Sequence, residues 1–144
     1  MSCDDEAIPP PPPGFMRSEG RGEFSTHNGP YFHRPGEAEA VEHALFILPR
    51  HTNGLGVLHG GMLSAFLDGL LGGAVFRAAG RTGMTIHLSV DFLRMARRGE
   101  WLQGEARVTQ LTREVAFAEG HAFVGGRVVG RASGVFKLMG GRQA

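Results

Sequence analysis

The sequence predicts an α+β domain in which an antiparallel sheet wraps one long, buried helix. Two observations carry this. Residues 60 to 79 are apolar around nearly the whole circumference of a helix, which suits a helix enclosed by protein. From residue 84 onward apolar and polar residues alternate in four successive runs, as half-buried strands do. At 144 residues the chain has room for one core.

The elements follow in order. Residues 1 to 14 read as a disordered, proline-rich tail, because the run Pro9 to Pro13 cannot join a sheet. Residues 15 to 144 read as a single domain. In Gly14 to Gly36, the residues Phe15, Met16, Phe24, Tyr31 and Phe32 are candidates to cover one edge of a core. Gly29-Pro30 and Arg34-Pro35-Gly36 read as turns. Residues 38 to 49 resemble a strand with Val41, Ala44, Phe46 and Leu48 as its apolar candidates, and His51 to Gly56 form a polar, glycine-rich loop.

The helix carries Met62, Leu63, Phe66, Leu67, Leu70, Leu71, Ala74, Val75 and Ala78, and Gly80 is its expected C-terminal cap. A membrane span is disfavoured, because Asp68 near its middle costs about 2.5–3.5 kcal/mol at a bilayer centre. After it, Met84, Ile86, Leu88, Val90 and Phe92 alternate with Thr85, His87, Ser89 and Asp91. Leu102, Ala106 and Val108 begin a second run. Residues 114 to 124 and 127 to 138 form the last two, joined by a Gly125-Gly126 hairpin, with Val128, Ala132, Phe136 and Leu138 on one face. Four strands in succession predict an antiparallel meander.

Composition excludes several function classes. Net charge is +1, with no basic run, so neither nucleic acid nor a membrane surface is an expected partner. Cys3 is the only cysteine, which rules out an intrachain disulfide and fits a reducing compartment. The acidic start, Met-Ser-Cys-Asp-Asp-Glu, lacks the features of a secretory signal, so a cytoplasmic location is expected. The seven histidines show no paired ligand spacing. There is no Gly-x-Ser-x-Gly elbow and no phosphate-binding loop. No metal or resident cofactor is expected.

One region concentrates the candidate chemistry. His59-Gly60-Gly61 leads directly into the helix, where backbone N–H groups lack intrahelical partners and favour an anion or a polarised carbonyl oxygen. Glycine there lets a ligand approach closely. Asp68 follows two turns into an otherwise apolar helix, and such a carboxylate needs a partner, a wet cavity or a function. Ser64, four residues earlier on the same face, is placed to hydrogen-bond it. Asn53, in the preceding loop, offers both a donor and an acceptor.

The spacing Asn53-x5-His59-Gly60-Gly61-x6-Asp68 resembles the signature of hotdog-fold acyl-CoA thioesterases of the phenylacetate-degradation type. The resemblance runs from about Gly29 to Leu138 and implies the hotdog fold. It also implies catalytic roles. The Gly60 N–H would polarise the thioester carbonyl, and Asp68 would activate water or attack as nucleophile. Asn53 would place the water or thioester, His59 would support the loop, and Thr85 would assist beside the carboxylate. Gly61 and Ser64 would join the substrate-binding surface. The implied substrate is an acyl-CoA, with coenzyme A present only as part of it. The implied assembly is a homodimer or dimer of dimers. Its site would be shared, with Asn53 and Gly60 from one chain and Asp68 and Thr85 from the other.

Two departures stand out. Thr85 occupies a position that is frequently Ser in the family. Phe92 to Gly99 lacks the proline common at that bend and instead holds Arg94, Arg97 and Arg98, which suit the phosphates of CoA. Two other readings share the fold. A hydratase or dehydratase would pair a carboxylate with a histidine, but the helix lacks an Asp-x4-His motif. A non-catalytic acyl-CoA-binding regulator would not need Asp68, Asn53 and Gly60 together.

Overall fold

The apolar run of the sequence becomes helix α2 (Gly60–Ala79), closed by Gly80 in the left-handed conformation at φ 69°. Met62, Leu63, Phe66, Leu67, Leu70, Leu71, Ala74 and Val75 are buried on it. Truncating any one of the buried leucines to Ala would cost about 2–5 kcal/mol.

The computed structural model describes residues 8–140. Before α2 come β1 (Met16–Arg17), α1 (Glu23–Asn28), β2 (Tyr31–Pro35), β3 (Val41–Phe46) and a single 3-10 turn, Pro49–His51. After it come β4 (Gly83–Phe92), β5 (Trp101–Leu111), β6 (Val115–Val124) and β7 (Arg127–Leu138). All seven strands form one antiparallel sheet in the order β1-β2-β3-β5-β6-β7-β4. The sheet wraps α2, as the sequence predicts. The expected four-strand meander is corrected. Only β5, β6 and β7 are neighbours in succession, while β4 crosses to the far side of β7 and ends the sheet.

Close approach of helix and sheet is built on small residues. A Cβ on Gly104 of β5 would stand 2.7 Å from Leu70 and 2.8 Å from Phe66. A Cβ on Gly134 of β7 would stand 3.1 Å from Leu71. Alanines at 106, 116, 118, 122 and 132 complete that inner face.

Three expectations shift. On β3 the helix-facing core residue is Leu45, continued by Ile47 beyond the strand. Ala44 instead packs with Phe15 and Phe32 in a second, smaller cluster on the other face, with Trp101 against it. On β7 Val129 is fully buried while Val128 is exposed, beside an irregularity in the β6–β7 register. The described part of the expected tail, residues 8 to 14, packs against the domain. Residues 1 to 7 lie outside the described residues. From Ile8 the chain packs against the Phe15 cluster, the Phe15 N–H bonds the Pro12 carbonyl, and Arg34 bonds the Pro13 carbonyl.

A bulge in β4 decides where its side chains go. Thr85 pairs with Phe136, but His87 pairs with the next residue, Val135, so Ile86 is the extra residue. An extra residue reverses the facing of everything before it. Simple alternation sets Thr85 opposite to Leu88. The bulge instead puts Thr85 on the helix side, opposite the buried Phe136.

Candidate active site

The loop that enters α2 is held by its own polar groups. The buried imidazole of His51 accepts from the Leu48 N–H through Nδ1 at 3.0 Å and lies 2.7 Å from the Asn28 carbonyl through Nε2. With Nδ1 accepting, the neutral ring donates from Nε2. The His51 carbonyl in turn accepts from the His59 N–H at 2.9 Å. Asn53 Oδ1 accepts from the N–H groups of Leu55 (2.9 Å) and Val57 (3.3 Å). Its acceptor therefore shapes the loop, while its Nδ2 donates to no described residue.

His59 is the N-cap of α2, and its Nδ1 accepts from the Gly61 N–H at 2.8 Å. A Cβ on Gly61 would come within 3.0 Å of that ring, so the cap itself demands a glycine there. The Gly61 donor is thereby used. The Gly60 N–H, earlier in the turn, has no intrahelical partner. A Cβ on Gly60 would lie 3.4 Å from the ring of Phe92, at the end of β4.

Asp68 sits half-buried on α2. Its Oδ1 accepts from Thr85 Oγ1 at 2.7 Å. Helical spacing pointed to Ser64, which makes no bond to the carboxylate; the bulge delivers Thr85, the residue that the family resemblance put beside it. Asp68 and Thr85 both line an open cavity of about 750 Å³. The helix glycines Gly69, Gly72 and Gly73 form part of its wall.

Within one chain these groups form two separate half-sites. Gly60 and Asp68 are eight positions apart on α2, which is about 12 Å of helix rise. That is too far for both to act on one carbonyl. Arg94, Arg97 and Arg98 belong to the first half-site. Their segment pairs with the Asn53–Gly60 loop through the Leu58 N–H to the Ala96 carbonyl (2.8 Å) and the Arg98 N–H to the Gly56 carbonyl (3.3 Å). All three side chains are exposed, and none forms an ion pair among the described residues. No group of three or more His, Cys, Asp or Glu residues that could hold a metal ion occurs among the described residues.

Two histidines that the sequence reading did not single out matter here. His51 fixes the loop. His43, 6% exposed in β3, lines the Asp68 cavity. The available signal for His43 was its place between Val41 and Leu45, on the alternate positions of the strand that face the core.

The chain has relatives among known proteins. Residues 55–131 match the thioesterase superfamily. A Pseudomonas aeruginosa protein with a provisional esterase assignment is 39% identical over 112 residues, spanning 76% of this chain and 84% of that protein. A Ralstonia eutropha phenylacetic acid degradation-related protein, provisionally a thioesterase, superposes with a TM-score of 0.73 at 27% identity, covering 83% of this chain and 92% of its own. A Streptococcus mutans protein crystallised with acetyl-CoA superposes with a TM-score of 0.71, covering 77% of this chain and 90% of its own; at 18% identity it speaks to the fold alone. The matched segment runs from the loop before α2 into β7 and so includes Gly60, Asp68 and Thr85: the chain belongs to the thioesterase superfamily, with the hotdog fold and a hydrolase's activity on thioesters.

Proposed function

We propose that the protein is an acyl-CoA thioesterase whose active site is completed by a second copy of the chain. The observation that carries the proposal is the way β4 joins the two half-sites. Its first residues lie beside Asp68, through the Thr85 bond, and its last residue, Phe92, lies against Gly60. β4 is also the free edge of the sheet, ten residues long, and exposes Met84 (53%), Ile86 (57%) and Phe92 (58%). Such an edge invites strand pairing. Antiparallel pairing of two β4 strands about a two-fold axis sets the Phe92 end of one chain beside the Thr85 end of its partner. Gly60 and Asn53 of one subunit then face Asp68 of the other.

The chemistry follows from the groups so gathered. The thioester carbonyl oxygen accepts from the Gly60 N–H, at the positive end of the α2 dipole. With Thr85 holding Oδ1, Asp68 Oδ2 is left to take a proton from water or to bond the carbonyl carbon directly. As either nucleophile adds, the carbonyl electron pair moves onto oxygen, and it returns as the C–S bond breaks and CoA leaves as thiolate. On the water route the acid is then free and the thiolate takes up the proton held by Asp68; on the direct route water next cleaves the acyl–Asp68 anhydride, which releases the acid and restores the carboxylate. Asn53 Nδ2 orients the water or the thioester, and His59 holds the glycine turn. Arg94, Arg97 and Arg98 meet the CoA phosphates, and the cavity beside Asp68 takes the acyl group. The Streptococcus mutans protein shows that this fold can hold an acyl-CoA, the ligand class proposed here.

The test is a hydrolysis panel of acyl-CoAs read by release of free thiol. Wild-type protein is expected to turn over at least one class, and folded Asp68→Asn protein to lose about a hundredfold or more. Near-normal turnover by Asp68→Asn overturns the assignment. A rapid-quench single turnover then separates the two routes, because only direct attack leaves the acyl group on Asp68 as a mixed anhydride before water releases it.

A further inference from the structure

The acyl cavity is not lined as a simple apolar slot. Helix α2 presents Gly69, Gly72 and Gly73 to it, and two nitrogen-bearing side chains occupy the space those glycines leave. Arg21 Nη2 lies 3.3 Å from where a Cβ on Gly69 would stand, and His43 Nε2 lies 3.1 Å from the equivalent point at Gly73. Gly69 and Gly73 are one turn apart, about 6 Å along the axis. Arg21 and His43 thus mark out a short path that starts beside Asp68.

Both side chains lack the partner their chemistry calls for. Arg21 is half-buried, stacked over the Tyr31 ring at 4.7 Å, and has no carboxylate within ion-pair distance among the described residues. Glu19 and Asp68, the two carboxylates lining the cavity, do not pair with it. The Nδ1 atom of buried His43 has no hydrogen-bond partner. A buried polar atom left unpaired costs about 1–3 kcal/mol. Burial, together with the neighbouring Arg21 and His33, holds the His43 ring neutral, with its pKa lowered to about 3. A guanidinium without an anion and a neutral imidazole whose Nε2 lies at the glycine wall of the cavity suit an acceptor that carries negative charge.

We infer that the cavity selects acyl groups ending in a carboxylate, the mono-thioesters of short dicarboxylic acids, with Arg21 pairing with the distal carboxylate and His43 hydrogen-bonding it. This rests on the thioesterase reading of Asp68 but concerns a different part of the substrate. An uncharged acyl group of the same length would leave the Arg21 cation and His43 unmatched.

The experiment measures binding to the full-length Asp68→Asn protein, so that no hydrolysis intervenes. Its probes are glutaryl-CoA and its uncharged counterpart, valeryl-CoA. Glutaryl-CoA is expected to bind about tenfold more tightly or better. Arg21→Gln in the same background should bring that ratio close to one, and Arg21→Lys should restore part of it. Equal affinities for the two thioesters, or a ratio that Arg21→Gln leaves unchanged, overturns the inference. Wild-type turnover of the same pair is read separately. Hydrolysis of neither thioester would count against the thioesterase reading, while the binding ratio would still decide the role of Arg21.

Discussion

Thr85 Oγ1 donates a 2.7 Å hydrogen bond to Asp68 Oδ1, and it reaches the carboxylate only because Ile86 bulges out of the β4–β7 register. A residue added to a strand is usually a local irregularity. Here it turns a hydroxyl from the outer face of the sheet to the helix and fixes one oxygen of the proposed catalytic carboxylate.

The first prediction concerns that bond. Thr85→Val keeps shape and removes the donor, and a hydrogen bond to a charged group is worth about 1.5–3 kcal/mol. Thioester turnover is expected to fall on the order of tenfold in kcat/KM. Thr85→Ser, which keeps the hydroxyl, should stay near wild type. Steady-state kinetics on the three proteins checks this.

The arginines of the Phe92–Gly99 segment predict a salt effect. Each exposed guanidinium lies on the segment paired with the Asn53–Gly60 loop. Calorimetric titration with CoA should show affinity falling as ionic strength rises, because exposed charge pairs are screened. Replacing Arg94, Arg97 and Arg98 by Ala should weaken binding and flatten that dependence. Unchanged affinity in the triple variant would place the nucleotide elsewhere.

His43 predicts a pH dependence of stability. Its pKa is lowered to about 3 in the folded chain, chiefly by burial, against an ordinary value of 6.5. As pH falls below the ordinary value, the unfolded chain takes up this proton while the folded chain does not. Stability contributed by neutral His43 is therefore full above about pH 6.5 and is lost as pH falls toward 3, by up to about 1.4 kcal/mol per pH unit. Urea unfolding at about pH 7 and about pH 5 should show this loss in the wild type and a smaller one in His43→Leu.

How much of this was legible in the sequence depends on the range of the forces involved. Helix α2 was legible because its apolar circumference and its Gly80 cap are local features. Asp68 stood out because a carboxylate is costly in such a helix. The His59-Gly60-Gly61 turn was legible for the same local reasons. The place of β4 was not, because chain order suggests β5 as its neighbour and only packing around α2 sends it to β7. The partner of Asp68 was legible only through the family resemblance, which put Thr85 beside the carboxylate; helical spacing alone pointed to Ser64, and strand alternation, which does not record the bulge, put Thr85 on the opposite face. The structural use of Asn53 Oδ1 and of His51 depends on carbonyls and amides whose positions no residue pattern records.

In the proposed enzyme one catalytic site draws on two chains. Subunit complementation measures this most directly. Inactive Asp68→Asn protein is mixed with inactive Asn53→Ala protein under conditions that exchange subunits, and mixed dimers are isolated by differential tags. With shared sites, a mixed dimer carries both lesions in one site and none in the other, so about half of wild-type turnover per dimer is expected to return, each two-fold dimer having two sites. Mixed dimers that form yet stay inactive would contradict the account and put Asn53 and Asp68 to work within a single chain.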